Sequence, residues 1–119
     1  GVEVWNSRAE RKIHDANRLA ASFAQVCRLR PFGGSDAHCP QEVGNGFTMV
    51  EAEALTLEAV KAALLEGSAQ ASGHRSRAWY AARSQLTKRN KTGAKPLGYA
   101  KWAAFAVKCC LQDIFGRGD

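Results

Sequence analysis

The sequence predicts an α/β chain with parallel strands, followed by a basic helical tail. Three observations predict it. A β-rich run, a long amphipathic stretch and a second β-rich run follow one another within residues 2–36, the order of a strand-helix-strand unit whose strands lie parallel. A further strand-like and helix-like pair occupies residues 47–67. The charge then changes sign: residues 1–67 carry 7 Lys+Arg against 9 Asp+Glu, a net of −2, whereas residues 68–119 carry 10 against 2, a net of +8. A chain of 119 residues can bury one modest core, so the expected organisation is an α/β part over residues 1–67 and a basic helical extension over residues 68–119.

Val2, Val4 and Trp5 around Glu3 form the first β-rich run, which ends at the turn-forming pair Asn6 and Ser7. Ser7-Arg8-Ala9-Glu10 has capping-box spacing, and Ile13, Ala16, Ala20, Phe23 and Cys27 recur at three or four residues. This predicts a helix over about residues 8–28 with one apolar stripe; His14 lies off that stripe and reads as a surface histidine. Pro31 pushes Arg30 toward extended geometry, so the helix is expected to stop there and the next strand to run over about residues 30–36. Pro40, Gly44, Asn45 and Gly46 then mark a loop, and Phe47 to Val50 reads as a strand. Thr56 is placed to cap a helix that buries Leu57, Val60 and Leu64, with Ala63 and Leu65 beside them, and Gly67 is placed to end it.

Residues 68–76 are small and polar and read as a linker, with His74 a solvated loop histidine. Trp79, Ala82, Arg83 and Leu86 predict a short helix, and Lys88 to Lys95, basic and Gly-containing, reads as mobile or bound to a surface. From Leu97 to Phe115 apolar residues cover most of a helix and leave a polar stripe at Lys101, Lys108 and Gln112. Such a helix packs on the rest of the chain, pairs with a second copy of itself, or lies on a membrane surface; it is too charged to span one. The basic tail suits an anionic partner such as nucleic acid, or is a solvated face.

The four cysteines, Cys27, Cys39, Cys109 and Cys110, form neither a disulfide framework nor a zinc-knuckle spacing, so reduced thiols are expected. No run of 18 uncharged apolar residues and no signal-peptide pattern is present, which makes a soluble, cytoplasmic protein the expectation. A strand that starts directly after Gly1 suggests a piece of a longer parent.

The chemistry-bearing stretch is Phe32-Gly33-Gly34-Ser35-Asp36-Ala37-His38. If it is extended, Asp36 and His38 leave the same face with Cα atoms roughly 7 Å apart. A carboxylate oxygen and an imidazole nitrogen together suit Zn, Mn or Fe; the alternative is a hydrogen-bonded pair that fixes a loop. Cys39, one residue on, points to the other face of such a strand and reads as a bystander. In parallel sheets ligands sit at the C-terminal ends of strands, which is where Asp36 and His38 fall.

Val2 to Ser7, then Gly34-Ser35-Asp36-Ala37-His38, then Gly44 with Phe47-Thr48 and the helix from Leu57 to Gly67 together resemble the PHP (polymerase and histidinol phosphatase) superfamily of metal-dependent phosphoesterases. The resemblance covers about residues 1–67. It implies the C-terminal portion of a distorted (β/α)7 barrel, with two or three divalent metal ions at the strand ends in the complete domain. It further implies that Asp36 and His38 are metal ligands, with Asn6 and Ser35 near the site. The family's N-terminal His-x-His and its other ligands have no counterpart here, since the remaining histidines are His14 and His74. The resemblance therefore implies part of an enzyme that hydrolyses a phosphate ester by metal-activated water, inactive as this piece alone. The competing reading is a non-catalytic PHP-like module whose basic tail binds nucleic acid or a partner protein. Half a barrel leaves an apolar face uncovered, so the piece is expected to dimerise or to cover that face with the helix from Leu97 to Phe115.

Overall fold

The computed structural model describes residues 1–9, 15–66, 69–93 and 95–116, which form two compact units. The first comprises Gly1–Asp36 with Val43–Arg75, the second Ala37–Glu42 with Ser76–Asp119.

In the first unit, β1 (Val2–Asn6) and β2 (Pro31–Gly34) pair in parallel, as the crossover between them requires. The register runs Val2 to Pro31 and Glu3 to Phe32, then slips so that Trp5 meets Gly33 and Asn6 meets Gly34. Val4 is the residue left over at the slip, and it is the one buried in the core.

The crossover helix α1 (Ala16–Val26) is seated on β1 by a polar contact. The Asn17 side-chain oxygen accepts the Asn6 backbone N–H at 2.9 Å, and its amide donates to the Asn6 carbonyl at 3.3 Å. Asn17 and Ala24 are the buried residues of α1, while Phe23 is 55% exposed. The expected stripe is thereby corrected: Ala16 and Ala20 are half-buried, Phe23 and Cys27 are exposed, and the inner face follows Asn17 because two hydrogen bonds fix it there. Ile13, His14 and Glu10 lie outside the described residues. The Ser7 hydroxyl is buried without a hydrogen-bond partner, so it caps nothing. The end of α1 is also set differently from the expectation at Pro31. Arg28 takes a left-handed backbone (φ 50°), its N–H reaches the Gln25 carbonyl at 3.2 Å, and the Leu29 N–H reaches that of Ala24 at 2.8 Å. This is a Schellman closure, completed before the proline is reached.

β3 (Gly46–Met49) pairs antiparallel with β4 (Gln70–Gly73), so the expectation of parallel strands holds for β1 and β2 and fails for this pair. Part of the presumed linker, residues 70–73, is thus a strand. Thr48 ties the two sheets: its hydroxyl accepts the Gly33 N–H at 2.9 Å and donates to the Gly33 carbonyl at 3.1 Å. The approach of β3 to β2 needs a glycine at position 46, where a Cβ would collide with the Gly34 carbonyl and the Ser7 hydroxyl. Helix α2 (Leu57–Glu66) starts as expected, with the Thr56 hydroxyl accepting the Ala59 N–H at 3.2 Å. It buries Ala63 and half-buries Val60, but leaves Leu57, Leu64 and Leu65 exposed. Gly67 lies outside the described residues.

The second unit is a helical hairpin with the short segment 37–42. Helix α3 (Ala78–Thr92) is longer than the sequence suggested; Lys88 to Thr92 continue it, because no breaker occurs before Gly93, which takes the left-handed cap (φ 64°). Pro96 opens α4 (Pro96–Phe115), where a missing N–H costs nothing. Ala78, Ala82, Ala106 and Cys109 form the core between the helices, small enough for close approach, with Trp102 and Phe105 packed against them. The Trp102 indole N–H donates to the Ala82 carbonyl at 2.7 Å, and the Arg89 guanidinium to that of Gly98 at 3.2 Å. Lys101, Lys108 and Gln112 face solvent as expected. Val107, Leu111, Ile114 and Phe115 are exposed too. Among the described residues, no helix is long and apolar enough to cross a membrane.

Candidate functional site

Strand β2 ends at Gly34, and the chain does not stay extended into the motif. Asp36 takes a left-handed backbone (φ 51°), so the strand geometry that would send Asp36 and His38 off one face does not apply. Asp36 closes the first unit and is exposed; Ser35 before it is half-buried. The end of β2 is anchored by the Ser7 N–H, which donates to the Gly34 carbonyl at 3.3 Å.

His38 lies in the 37–42 segment of the second unit, also exposed. Its backbone is held by a residue that the motif does not include. The Glu42 carboxylate accepts the His38 N–H at 3.0 Å and the Cys39 thiol at 3.4 Å, both at Oε2. The Glu42 N–H returns to the Cys39 carbonyl at 3.0 Å and closes the turn of Pro40–Glu42. Glu42 is 0% exposed. Burial, then the Glu42 hydrogen bond and charge, push the Cys39 thiol up from the ordinary range, against a smaller opposing pull from the Gln41 backbone and Arg83. The fold thus favours the neutral form of the Cys39 thiol. All four cysteines are thiols.

Asn6 is occupied in its own turn: its side-chain oxygen accepts the Arg8 N–H at 2.9 Å and its amide donates to Glu3 at 3.1 Å. His74 is exposed, and its backbone N–H donates to the Asn45 carbonyl at 2.7 Å. Glu42 was legible only as the fourth residue of Cys39-Pro40-Gln41-Glu42, the spacing at which a carboxylate reaches back over a first helical turn. Among the described residues, no three His, Cys, Asp or Glu side chains gather to hold a metal ion. As donors, the Asp36 carboxylate and His38 imidazole fit Zn, Mn or Fe chemically, and both residues are exposed.

Residues 14–69, just under half of the chain, match the family model described as PHP-associated. No curated protein and no solved structure matches at a significant level. The matched stretch takes in α1, β2, the motif, β3 and α2, so over residues 14–69 the chain is similar to a PHP-associated region.

Proposed function

We propose that this chain supplies Asp36 and His38 to a divalent metal centre of a PHP-type phosphoesterase that hydrolyses a phosphate ester. The observation that supports the reading is Gly34-Ser35-Asp36-Ala37-His38, which follows directly on a strand paired in parallel and lies within the PHP-associated stretch. In this reading the parallel β1–β2 pair with its crossover helix belongs to a distorted (β/α)7 barrel. Bound divalent ions would supply an activated water and neutralise charge developing on the phosphate oxygens. Asp36 contributes a formal negative charge and His38 a neutral nitrogen donor, both accessible to a phosphate ester from solvent. Two protein ligands fall short of the three that catalytic zinc sites usually take, so the reading requires further ligands beside Asp36 and His38.

The test compares this chain, a longer polypeptide that contains it, and the longer polypeptide carrying Asp36→Asn or His38→Ala. Metal content and hydrolysis of a generic phosphate ester are measured for each. This chain should show no turnover, the longer polypeptide metal-dependent turnover, and each variant a loss of both metal and activity. Full activity in the Asp36→Asn polypeptide would refute the ligand assignment. Failure of any metal-dependent activity to appear in the longer polypeptide would favour the competing reading, a non-catalytic module that binds through its basic helices.

A further inference from the structure

Helix α4 has two apolar faces, and the hairpin uses one of them. Trp102, Phe105, Ala106 and Cys109 pack toward α3, and Asp113 caps it. The opposite face carries Leu97, Ala100, Ala104, Val107, Leu111 and Ile114, all exposed, at successive spacings of 3, 4, 3, 4 and 3 residues. This is the spacing of a coiled-coil seam, along which a second helix lies. Ala103 and Cys110 widen the seam on one side without adding charge, and Lys101 and Lys108 border it on the other. The seam is also graded in size, with Ala100 and Ala104 in its first half and Val107, Leu111 and Ile114 in its second.

The grading is self-complementary. Two copies laid antiparallel about a two-fold axis between Phe105 and Ala106 set Ala100 against Leu111 and Ala104 against Val107 of the second copy, with Leu97 against Ile114 at each end. Each thin layer is then filled by bulk from the other chain, whereas a parallel pair would stack alanine on alanine twice and leave gaps. The helix α4 extends over about 30 Å, and two helices in contact along that length hide on the order of 1,000 Å², the lower bound of a specific interface. A lipid surface fits less well, because interfacial helices carry a broad cationic face, and here the polar stripe of Lys101, Lys108 and Gln112 is narrow, with α3 on the far side.

We propose that the outer face of α4 is a self-association surface on which two copies of this chain pair antiparallel, joining two hairpins. Lys101 then comes beside Lys108 of the second copy on the solvent-exposed rim, a repulsion that salt screens. The pairing should therefore tighten with salt, opposite in sign to the binding of nucleic acid. It is independent of any metal at Asp36 and His38.

Analytical ultracentrifugation of the whole chain at about 100 μM should show a dimer, since interfaces of this size bind in the micromolar range. Its dissociation constant should fall about two- to fivefold between low and high salt. Leu111→Lys should weaken the dimer about a hundredfold or more, because the leucine is lost from both copies, while Leu55→Lys, at a fully exposed apolar residue outside α4, should leave it unchanged. The Trp102 indole N–H resonance reports that each variant keeps its hairpin. In a mixture of isotope-labelled and unlabelled copies, intermolecular NOEs should join the Ala100 and Leu111 methyl groups. A monomer at that concentration would overturn the proposal, and flotation of the monomer with phosphatidylserine vesicles would assign the face to lipid instead. A dimer that persists in Leu111→Lys, or that Leu55→Lys abolishes as well, lies on another face and overturns it equally. NOEs from Ala100 to its own counterpart would overturn the antiparallel arrangement.

Discussion

Asp113 offers the sharpest test of how the helical hairpin is held. Helix α3 begins after Arg77, whose side chain makes no capping bond, so its first N–H groups need another acceptor. The Asp113 carboxylate, near the end of α4, takes the Ala78 N–H at 2.7 Å and the Trp79 N–H at 3.0 Å. Loss of a capping side chain costs about 0.5–2 kcal/mol, and a carboxylate at a helix N-terminus adds about 0.3–1 kcal/mol through the helix dipole. Ala78 is 6% exposed, so water does not readily replace the acceptor there, which places Asp113→Ala toward the upper part of the range, about 2 kcal/mol. Asp113→Asn keeps one oxygen acceptor and loses the charge, so about half of that is expected. Native-state amide exchange resolves the two contributions, because it reads Ala78 and Trp79 separately from the rest of the hairpin. Both amides should exchange faster in Asp113→Ala, with Asn intermediate. Unchanged protection of Ala78 in Asp113→Ala would show that the carboxylate is not the cap.

Three other outcomes follow from the same structure. Thr48→Val, nearly equal in shape, removes both bonds to Gly33 and should lower the stability of the first unit by about 2 kcal/mol in urea denaturation, while Thr48→Ser should cost far less; equal costs would rule out the hydroxyl bridge. The raised Cys39 thiol should be alkylated with a pH midpoint above that of the unfolded chain, and Glu42→Gln should lower it. Because the fold favours the neutral thiol, this contribution to stability is complete below the unfolded thiol pKa and is lost as pH rises through the folded value; a midpoint equal to that of the unfolded chain would contradict it. If the exposed cations Arg83, Lys88, Lys91, Lys101 and Lys108 serve a nucleic-acid partner, affinity for a single-stranded oligonucleotide should fall steeply with salt, and no binding at low salt would leave a solvated surface.

The parts of the fold that could be read from the sequence are those with local causes. Thr56 caps α2 through its own hydroxyl, and β-rich Val2-Glu3-Val4-Trp5 forms β1, because both signals lie within a few residues of their effect. Strand β4 could not be read: Gln70-Ala71-Ser72-Gly73 contains no β-branched or aromatic residue and is a strand because β3 supplies its ladder. The inner face of α1 was displaced for a related reason. Asn17 is buried by its bonds to the Asn6 backbone, and a polar residue on the inner face is invisible to apolar periodicity. Lys88 to Thr92 were misread because basic composition says nothing against a helix when no glycine or proline interrupts it. Asp113 acts 35 residues from the helix it caps, a distance over which no sequence spacing carries a signal.

The motif itself combines both situations, and this decides how its chemistry should be probed. Asp36 sits two residues past a strand whose end is tied to Ser7, in a left-handed backbone that aspartate and asparagine tolerate better than most residues. Alanine at position 36 would carry a backbone penalty of roughly 1 kcal/mol, so a loss of metal in Asp36→Ala mixes strain with the missing carboxylate. Asparagine retains the backbone preference and one oxygen and removes only the charge. His38 has φ of the ordinary sign and its backbone is held by Glu42, so truncating its ring leaves the anchoring bond to its N–H in place. If Asp36 and His38 hold a metal as proposed, Asp36→Asn and His38→Ala are therefore the substitutions in which a change in metal binding would report on ligand chemistry.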